Sequence, residues 1–402
     1  MITFSFDTLD YVLLGILGFL FLAQLYWYSR YLAAPAQRIR KDKKSASLEN
    51  GEGENLLPPV SVVIAAHNES YNLSQYLQTL LTQDYPLYEV IVVDDGSEDE
   101  TRIVVESYMV NDPRLHLTFV PKGARVNSTK KLALTLAAKA AQYDYLLLTD
   151  ADCAPESSNW IREMMKGFQR QMTNDQRPND IVLGFSPYFE TKGHINCLVR
   201  FDTLFNGLHY LGAALCGHPY MGVGRNLAYR KSFFFESGGF THLMTTRAGD
   251  DDLFVNHVAT KDNTTVVLSR DSYVWSISKT TFKQWWQQKR RHISVSPKYK
   301  LSTQFRLTFE PLTRGLFYLM VIGLLAYYGS ILNFKFLIFN LQLLIVLGLF
   351  ILRWLIQTAI INVSAYRMGL KKFNMFTILW FDIALPLINL WMLIVPKRYK
   401  WN

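Results

Sequence analysis

Apolar and polar positions come in blocks along this chain. From Tyr11 to Ser29 the sequence reads YVLLGILGFLFLAQLYWYS, without a charge. Roughly 18 such residues in a helix reach about 27 Å, close to the hydrocarbon thickness of a bilayer. Tyr26, Trp27 and Tyr28 form an interfacial belt at its end, and the lack of a basic stretch before it argues against a cleaved signal peptide. Three further apolar runs follow residue 312: GLFYLMVIGLLAYYGSIL from Gly315, a run from about Phe336 to Ala365 interrupted only by Arg353, and Phe376 to Val395, which carries Asp382 and Pro386. Between Pro58 and Pro311 no apolar run is long enough to span, so this middle part is expected to be a soluble domain held between membrane segments.

Inside that domain the period of the pattern switches back and forth. VSVVIAAHNE (Val60 to Glu69) is a short β-branched run ending in polar residues, a buried strand and its loop. SYNLSQYLQTLLTQDY follows with Tyr71, Leu73, Tyr76, Leu77, Leu80 and Leu81 at helical spacing. Val90 to Val93 is a second strand running into Asp94-Asp95-Gly96-Ser97; TKKLALTLAAKAAQ is helical, and DYLLLTDAD is a third strand. Strands buried on both faces and alternating with helices predict an α/β fold, a mostly parallel sheet covered by helices. The expected division is an anchor over 1–30, a basic, flexible linker over 31–59, a catalytic domain over 60–280, an amphipathic interfacial region over 281–311 and a membrane region over 312–402.

The formal net charge is +9, and its distribution carries the meaning. Arg30, Arg38, Arg40, Lys41, Lys43 and Lys44 follow the first span, and Arg367, Lys371 and Lys372 follow the third, which predicts a cytoplasmic middle domain. Basic residues crowded beside spans suit anionic lipid headgroups and an anionic substrate, and argue against nucleic acid as partner. A full fourth crossing would place Lys397, Arg398 and Lys400 outside. The charge rule and the midspan Asp382 therefore favour a re-entrant or interfacial last segment, kinked at Pro386. Cys153, Cys197 and Cys216 have no metal-ligand spacing and are expected to be reduced thiols.

The chemistry is expected where the strands stop. In open α/β sheets ligands sit beyond the carboxyl ends of strands. Here three strands end in Asn68-Glu69, Asp94-Asp95 and Asp150-Ala151-Asp152. One such ending is an ordinary cap or turn. Three on one edge concentrate negative charge that calls for a cation or donor groups. Asp150 and Asp152, two apart, would face one side of a continuing strand. Their oxygens suit Mg²⁺ or Mn²⁺. Asp250, Asp251 and Asp252 exceed what capping the following helix requires, and an acceptor hydroxyl needs a positioned carboxylate to take its proton. Gln288, Arg291 and His292 share one helix face by their i, i+3, i+4 spacing. Trp285 and Trp286 beside Lys283, Lys289 and Arg290 describe an interfacial amphipathic helix.

The ordered set HNE, DDGSEDET, KKLAL, DAD, GVGRNLAYR, GGF, GDDDLF and QKRRH resembles membrane-anchored family 2 glycosyltransferases, over about Val60 to His292 and the flanking spans. The resemblance implies a GT-A fold and a nucleotide-diphosphate-sugar donor, with a uracil preference. It further implies an inverting transfer to a hydroxyl of a lipid-linked or membrane-proximal glycan acceptor, at the cytoplasmic side of a bacterial inner membrane. By the same likeness Asp94, Asp95 and Glu69 serve the base and ribose. Asp150 sits nearer the ribose, and Asp152 is the more direct ligand of the metal. Lys130, with Lys131 as the alternative, lies near the diphosphate. Gly222 and Gly224, with Gly238 and Gly239, let the backbone approach the sugar. Arg291 neutralises the departing diphosphate within a Gln-x-x-Arg-Trp element in which His292 replaces Trp. The base is Asp250 when Asp252-Leu253 is matched to the family's Asp-Leu, and Asp251 in the register of the related GDD form; Asp250 is preferred. The family's Glu before the base is absent here. The rival readings are a processive polysaccharide synthase, a catalytically inactive sugar-nucleotide-binding module and a nucleotidyltransferase.

Overall fold

The computed structural model describes residues 6–46, 57–121, 123, 126–169, 179–246, 248–331 and 341–394. The chain divides into two compact units, one formed by Met1–Ala34 with Leu301–Asn402 and the other by Pro35–Lys300.

In the first unit, α1 (Thr8–Trp27) is the first apolar run, and a π-helical turn over Tyr28–Leu32 extends it. The second unit opens with α2 (Ala34–Ala46), which carries most of the basic cluster. This part of the expected flexible linker is therefore helical, supported by the Arg38–Asp42 pair one turn apart. Residues 47–56 of that linker lie outside the described residues.

The second unit is built on a seven-stranded sheet in the order β3-β2-β1-β4-β7-β6-β8. β1 (Val60–Ala66), α3 (Ser70–Leu81), β2 (Tyr88–Asp94), α4 (Thr101–Met109), β3 (Leu115–Phe119), α5 (Thr129–Ala140) and β4 (Tyr145–Asp150) form the parallel half. β1 and β2 are almost wholly buried, as their unbroken β-branched runs require. Then come β5 (Cys153–Pro155), α6 (Trp160–Gln169), β6 (Ile181–Leu183), α7 (His194–Leu215), β7 (Leu227–Arg230) and α8 (Lys231–Glu236). They are followed by α9 (Asp252–Val258), β8 (Thr264–Val266), β9 (Val274–Ser276) and α10 (Phe282–Ile293). Within the main sheet only β7 opposes its neighbours, pairing antiparallel with β4 and β6, while β5 and β9 form a separate two-stranded ribbon. Trp160, Met164, Met165 and Phe168 of α6 pack into the same core as the inner faces of β1, β2 and β4.

The opposed strand matters for the site. Because β7 runs against β4, its entry lies beside the exit of β4, with Leu227 opposite Leu148. The turn preceding β7 is thereby delivered to the carboxyl edge of the parallel strands. Asn226 locks that turn: it is fully buried, its amide donates to the carbonyls of Phe185 and Ser272, and its Oδ1 accepts from Trp160 Nε1.

In the membrane unit α1 packs with α11 (Leu301–Ile331) and α12 (Leu341–Arg367), and α13 (Met375–Ile394) completes it. Four helices among the described residues are long and apolar enough to cross a membrane. α13 is one helix from Met375 to Ile394 with Pro386 inside it. The midspan charge that favoured a re-entrant segment has partners: Asp382 accepts from Arg314, Arg353, Tyr318 and Gln357. The basic tail after the last span lies outside the described residues.

Candidate active site

The chain leaves β1 toward β2 on one side and returns to place β4 on the other, so the crevice between β1 and β4 is the topological switch point of the sheet. Ala65 is level with Asp150 and Ala66 with Asp94, which brings three strand ends to one edge. The two outer loops are interlocked there. Asn68 adopts φ +56, which asparagine tolerates, and its Oδ1 accepts from the Glu98 amide while its own amide donates to Ser97 Oγ.

The acidic pair after β2 splits into two jobs. Asp94 Oδ1 accepts from the Ser97 amide and closes the turn at Gly96. Asp95 Oδ2 accepts from Thr129, but its Oδ1 is buried and without a hydrogen-bond partner. Burial raises the Asp95 carboxyl and outweighs the Thr129 hydroxyl. A buried acceptor left unpaired among the described residues costs about 1–3 kcal/mol. Glu69 is raised by burial despite its Asn72 hydrogen bond, and then by the charges of Asp152 and Asp150, which places it in the same field.

At the end of β4 the carboxylates meet a cation. Lys130 Nζ lies 3.0 Å from Asp150 Oδ1 and 3.4 Å from Asp250 Oδ2. Lys130, Asp150, Gly224, Asp250 and Asp251 line a single crevice. Burial pulls the ammonium down, but Asp150, Asp250 and Asp251 outweigh it and hold Lys130 charged. Burial pushes Asp150 up, and Lys130, then Arg225 and Arg291, bring it below the usual carboxylate range. Asp152 does not continue the strand as expected: β4 stops at Asp150, Ala151-Asp152 make a turn, and the Cys153 thiol donates to Asp152 Oδ1 at 3.3 Å.

The three consecutive aspartates have three different environments. Asp251 caps α9: its Oδ1 accepts from the Asp252 amide and its Oδ2 from the Gly224 amide, both at 2.8 Å. Asp252 is buried, with Oδ1 on the Leu253 amide and Oδ2 on the Tyr299 hydroxyl. Asp250 meets Lys130 at 3.4 Å, its one charged partner among the described residues, and is not the residue that caps the helix.

Two family models match this chain. The one described as glycosyl transferase family 2 covers residues 61–233, and the one described as glycosyl transferase family group 2 covers residues 188–395, more than half of the chain. The chain belongs to the family 2 glycosyltransferases. The probable glycosyltransferase YdaM of Bacillus subtilis is 24% identical over 296 residues, 71% of this chain and 67% of that one. Poly-beta-1,6-N-acetyl-D-glucosamine synthase of Staphylococcus epidermidis is 33% identical over 93 residues, 23% of this chain and only 21% of that one. The structure of the mannosyltransferase PcManGT from Pyrobaculum calidifontis, in complex with GDP-Man and Mn2+, has a TM-score of 0.52 at 17% identity, covering 86% of this chain and 98% of that one. At that identity the likeness is one of fold, and the fold is GT-A.

In this glycosyltransferase α10 belongs to the same compact unit as the acidic crevice. Trp285, Lys289 and Arg290 are buried in it, which corrects the expectation that they face the membrane interface. The reason is a long-range pair: Lys289 Nζ donates to both oxygens of Asp202 on α7, at 2.6 and 2.8 Å. Lys283 stays exposed and Trp286 half-buried. Arg291 and His292 are both exposed on the last turn, and the imidazole is pushed down, first by desolvation and then by Arg291 and Arg225. Gln288 does not share the acidic crevice; it donates to the Tyr188 hydroxyl at 3.2 Å. Gly222 is packed among Leu183, Leu227 and Val255, and Gly238 and Gly239 make a left-handed turn against His242 and Phe234, so only Gly224 of the four reaches the crevice.

Two groups here escaped the sequence reading. Arg225, inside GVGRNLAYR, stacks on Tyr188 at 4.3 Å, donates to the Ser186 carbonyl and keeps a buried Nη1 without a partner. Its motif was visible, but nothing in the motif separates a solvated arginine from one set behind Asp150 and Asp152. Tyr299 is 47 residues from Asp252, and no local pattern pairs them.

Asp252 gives this unit a pH dependence. Burial and then Asp251 push its carboxyl from 3.8 up to about 8. An acid raised on folding binds its proton more tightly in the native state. Its stabilisation is therefore full below the unfolded pKa and is lost as pH rises through about 8. Asp252→Asn, neutral at every pH, is expected to flatten that fall and to be the more stable protein above pH 8. Thermal unfolding of both proteins across this range checks it, and parallel curves would count against it.

Proposed function

We propose that this chain is an inverting glycosyltransferase. It moves a sugar from a UDP-sugar to a hydroxyl of a lipid-linked or membrane-proximal glycan acceptor, with its soluble unit on the cytoplasmic side of a bacterial inner membrane. The observation that carries the reading is Asp250, held beside Lys130 and Asp150 at the switch point while its two neighbours are occupied elsewhere. Asp250 takes the proton of the acceptor hydroxyl as its oxygen attacks the anomeric carbon and the bond to the diphosphate breaks. A single displacement inverts the anomeric centre and needs no second nucleophile. Arg291 and Lys130 meet the charge that develops on the leaving diphosphate. The unpaired Asp95 Oδ1 accepts an N–H of the base, Glu69 serves the ribose side, and His292 borders the acceptor.

The residues fit a divalent cation carried by the donor. Among the described residues no three His, Cys, Asp or Glu side chains cluster as a protein cage. Mg²⁺ in nucleotide sites is held by one or two carboxylates, with phosphate oxygens and water completing the shell. Asp152, with Asp150 sharing its carboxylate with Lys130, would hold Mg²⁺ or Mn²⁺. The ion would offset charge on the diphosphate.

The test is a panel of nucleotide sugars, including UDP- and GDP-sugars, with Mg²⁺ or Mn²⁺ and membrane lipid acceptors, read by nucleoside diphosphate release. Transfer from a UDP-sugar that falls about 10²-fold or more in Asp152→Ala is the expected result. Unchanged turnover in that variant would reject the metal assignment, and no turnover with any donor would reject the enzyme in favour of a binding module. The similarity to a polysaccharide synthase favours one second reading, processive synthesis. A long product ladder from purified enzyme would select it; a single added sugar selects the reading proposed.

A further inference from the structure

Lys131 follows Lys130 in KKLAL but points the other way. Its side chain is fully buried, and its ammonium lies 2.9 Å from the Leu243 carbonyl, 2.8 Å from the Thr246 carbonyl, 2.7 Å from Thr246 Oγ1 and 2.8 Å from the Ala248 carbonyl. Lysine is almost never fully buried unless it is paired. Among the described residues no carboxylate touches it; four neutral oxygens 112 to 117 residues away share its three N–H groups. This overturns Lys131 as an alternative diphosphate ligand, because an ammonium so enclosed has no donor left for a phosphate.

All four oxygens belong to the loop that enters Asp250. The chain passes from Leu243 and Thr246 through Ala248 to Gly249, whose φ of +87 and close approach to Leu253 admit only glycine. Asp250 follows directly. Downstream, Asp251 is tied to Gly224 and Asp252 to Tyr299. Upstream, the hydrogen bonds of Lys131 are the corresponding tie. The first turn of α5 thus grips the aspartate loop twice: Lys130 through the Asp250 carboxylate, Lys131 through the backbone that precedes it. Ser128, which caps this turn and accepts from the Lys131 amide at 3.4 Å, sets the direction of both lysines.

We propose that Lys131 is a positioning residue, a buried internal cation that gathers the carbonyls of Leu243, Thr246 and Ala248 and thereby aims Asp250 at the acceptor hydroxyl. The inference rests on the reading of Asp250 as the base. A side chain of similar length without N–H groups would take the donor from the Thr246 and Ala248 carbonyls, while Leu243 keeps the Thr246 amide and hydroxyl, and the loop would relax to satisfy the carbonyls elsewhere. Displacing a reacting group by about 1 Å costs on the order of 10²-fold in rate.

The experiment compares the full-length wild-type enzyme with Lys131→Met and Thr246→Val. It measures kcat, the donor KM, UDP binding in the presence of Mg²⁺, and hydrogen exchange of the amides flanking Asp250. Lys131→Met is expected to lower kcat by about 100-fold, with donor KM and UDP affinity held within about twofold. Thr246→Val, which removes one of the four oxygens and leaves Lys131 in place, is expected to lower kcat by about fivefold with the same split. Exchange in the loop should quicken in both. Loss of UDP binding in step with kcat would overturn the proposal, since Lys131 would then serve the donor or the fold at large. So would faster loop exchange with kcat preserved in both variants. A wild-type enzyme that neither binds UDP nor transfers would instead defeat the parent reading.

Discussion

Asp250→Asn is expected to lower kcat by about 10³-fold, inside the ~10²–10⁴ range for loss of a general base, with UDP affinity retained. The amide preserves size and one oxygen near Lys130 but cannot take a proton. Donor binding should survive because Asp95, Asp152 and Arg291 are untouched, and Lys130 keeps Asp150 at 3.0 Å. Asp251→Asn discriminates between the two registers. One amide oxygen cannot serve both the Gly224 and Asp252 amides, so this change weakens the α9 cap, worth about 1 kcal/mol, and unfolds the protein at lower temperature. Its kcat should fall less than that of Asp250→Asn. The reverse ranking at equal folded fraction would transfer the role of base to Asp251. Steady-state kinetics of the two variants, with UDP binding as the control, decide it.

Asp382→Leu is expected to destabilise the membrane unit by about 3–5 kcal/mol, the cost of leaving buried charge unpaired. Asp382 Oδ1 accepts from Arg314 Nη1 and Gln357, both at 2.7 Å; Oδ2 accepts from Arg353 Nη1 at 2.9 Å and Tyr318 at 2.6 Å. Arg353 also donates to Gln24 and Tyr28 of the first apolar segment, and Arg314 to Glu310. One carboxylate therefore ties α13 to α11 and α12, and through Arg353 to the first segment. In a bilayer the alternative partners are lipid tails, so removing it takes the carboxylate from Arg353, while Arg314 keeps Glu310. The readout is thermal inactivation of the purified protein in lipid nanodiscs. Combining Asp382→Leu with Arg353→Met should recover part of the loss, since removing both members of a buried pair costs less than removing one. A single variant as durable as the wild type would show that the cluster contributes nothing to packing.

The lysines and the α10 tryptophans show where reading the chain alone stopped. Lys130 and Lys131 are adjacent in sequence, but successive helix positions diverge by about 100°, so one enters the crevice and the other the interior. Which is which depends on where the residue 243–248 loop lies, more than 110 positions away. Trp285 and Lys289 looked like one face of an interfacial helix because their neutralising partner, Asp202, sits on α7, 87 residues earlier. Asp382 looked costly in a span for the same reason.

Local pattern was enough for the apolar helices, the parallel strands and the acidic strand ends. Each of these is set by periodicity or by the chemistry of adjacent residues: runs long enough to span, β-branched runs buried on both faces, and carboxylates placed where β1, β2 and β4 stop. The division of labour among neighbours belonged to the tertiary structure. β7 had to run against β4 before Gly224 could occupy Asp251, and Tyr299 had to fold back before it could occupy Asp252. Only then is Asp250 the carboxylate left facing Lys130. Three identical side chains in a row carry the same chemistry in the sequence; hydrogen-bond partners drawn from distant segments make them different.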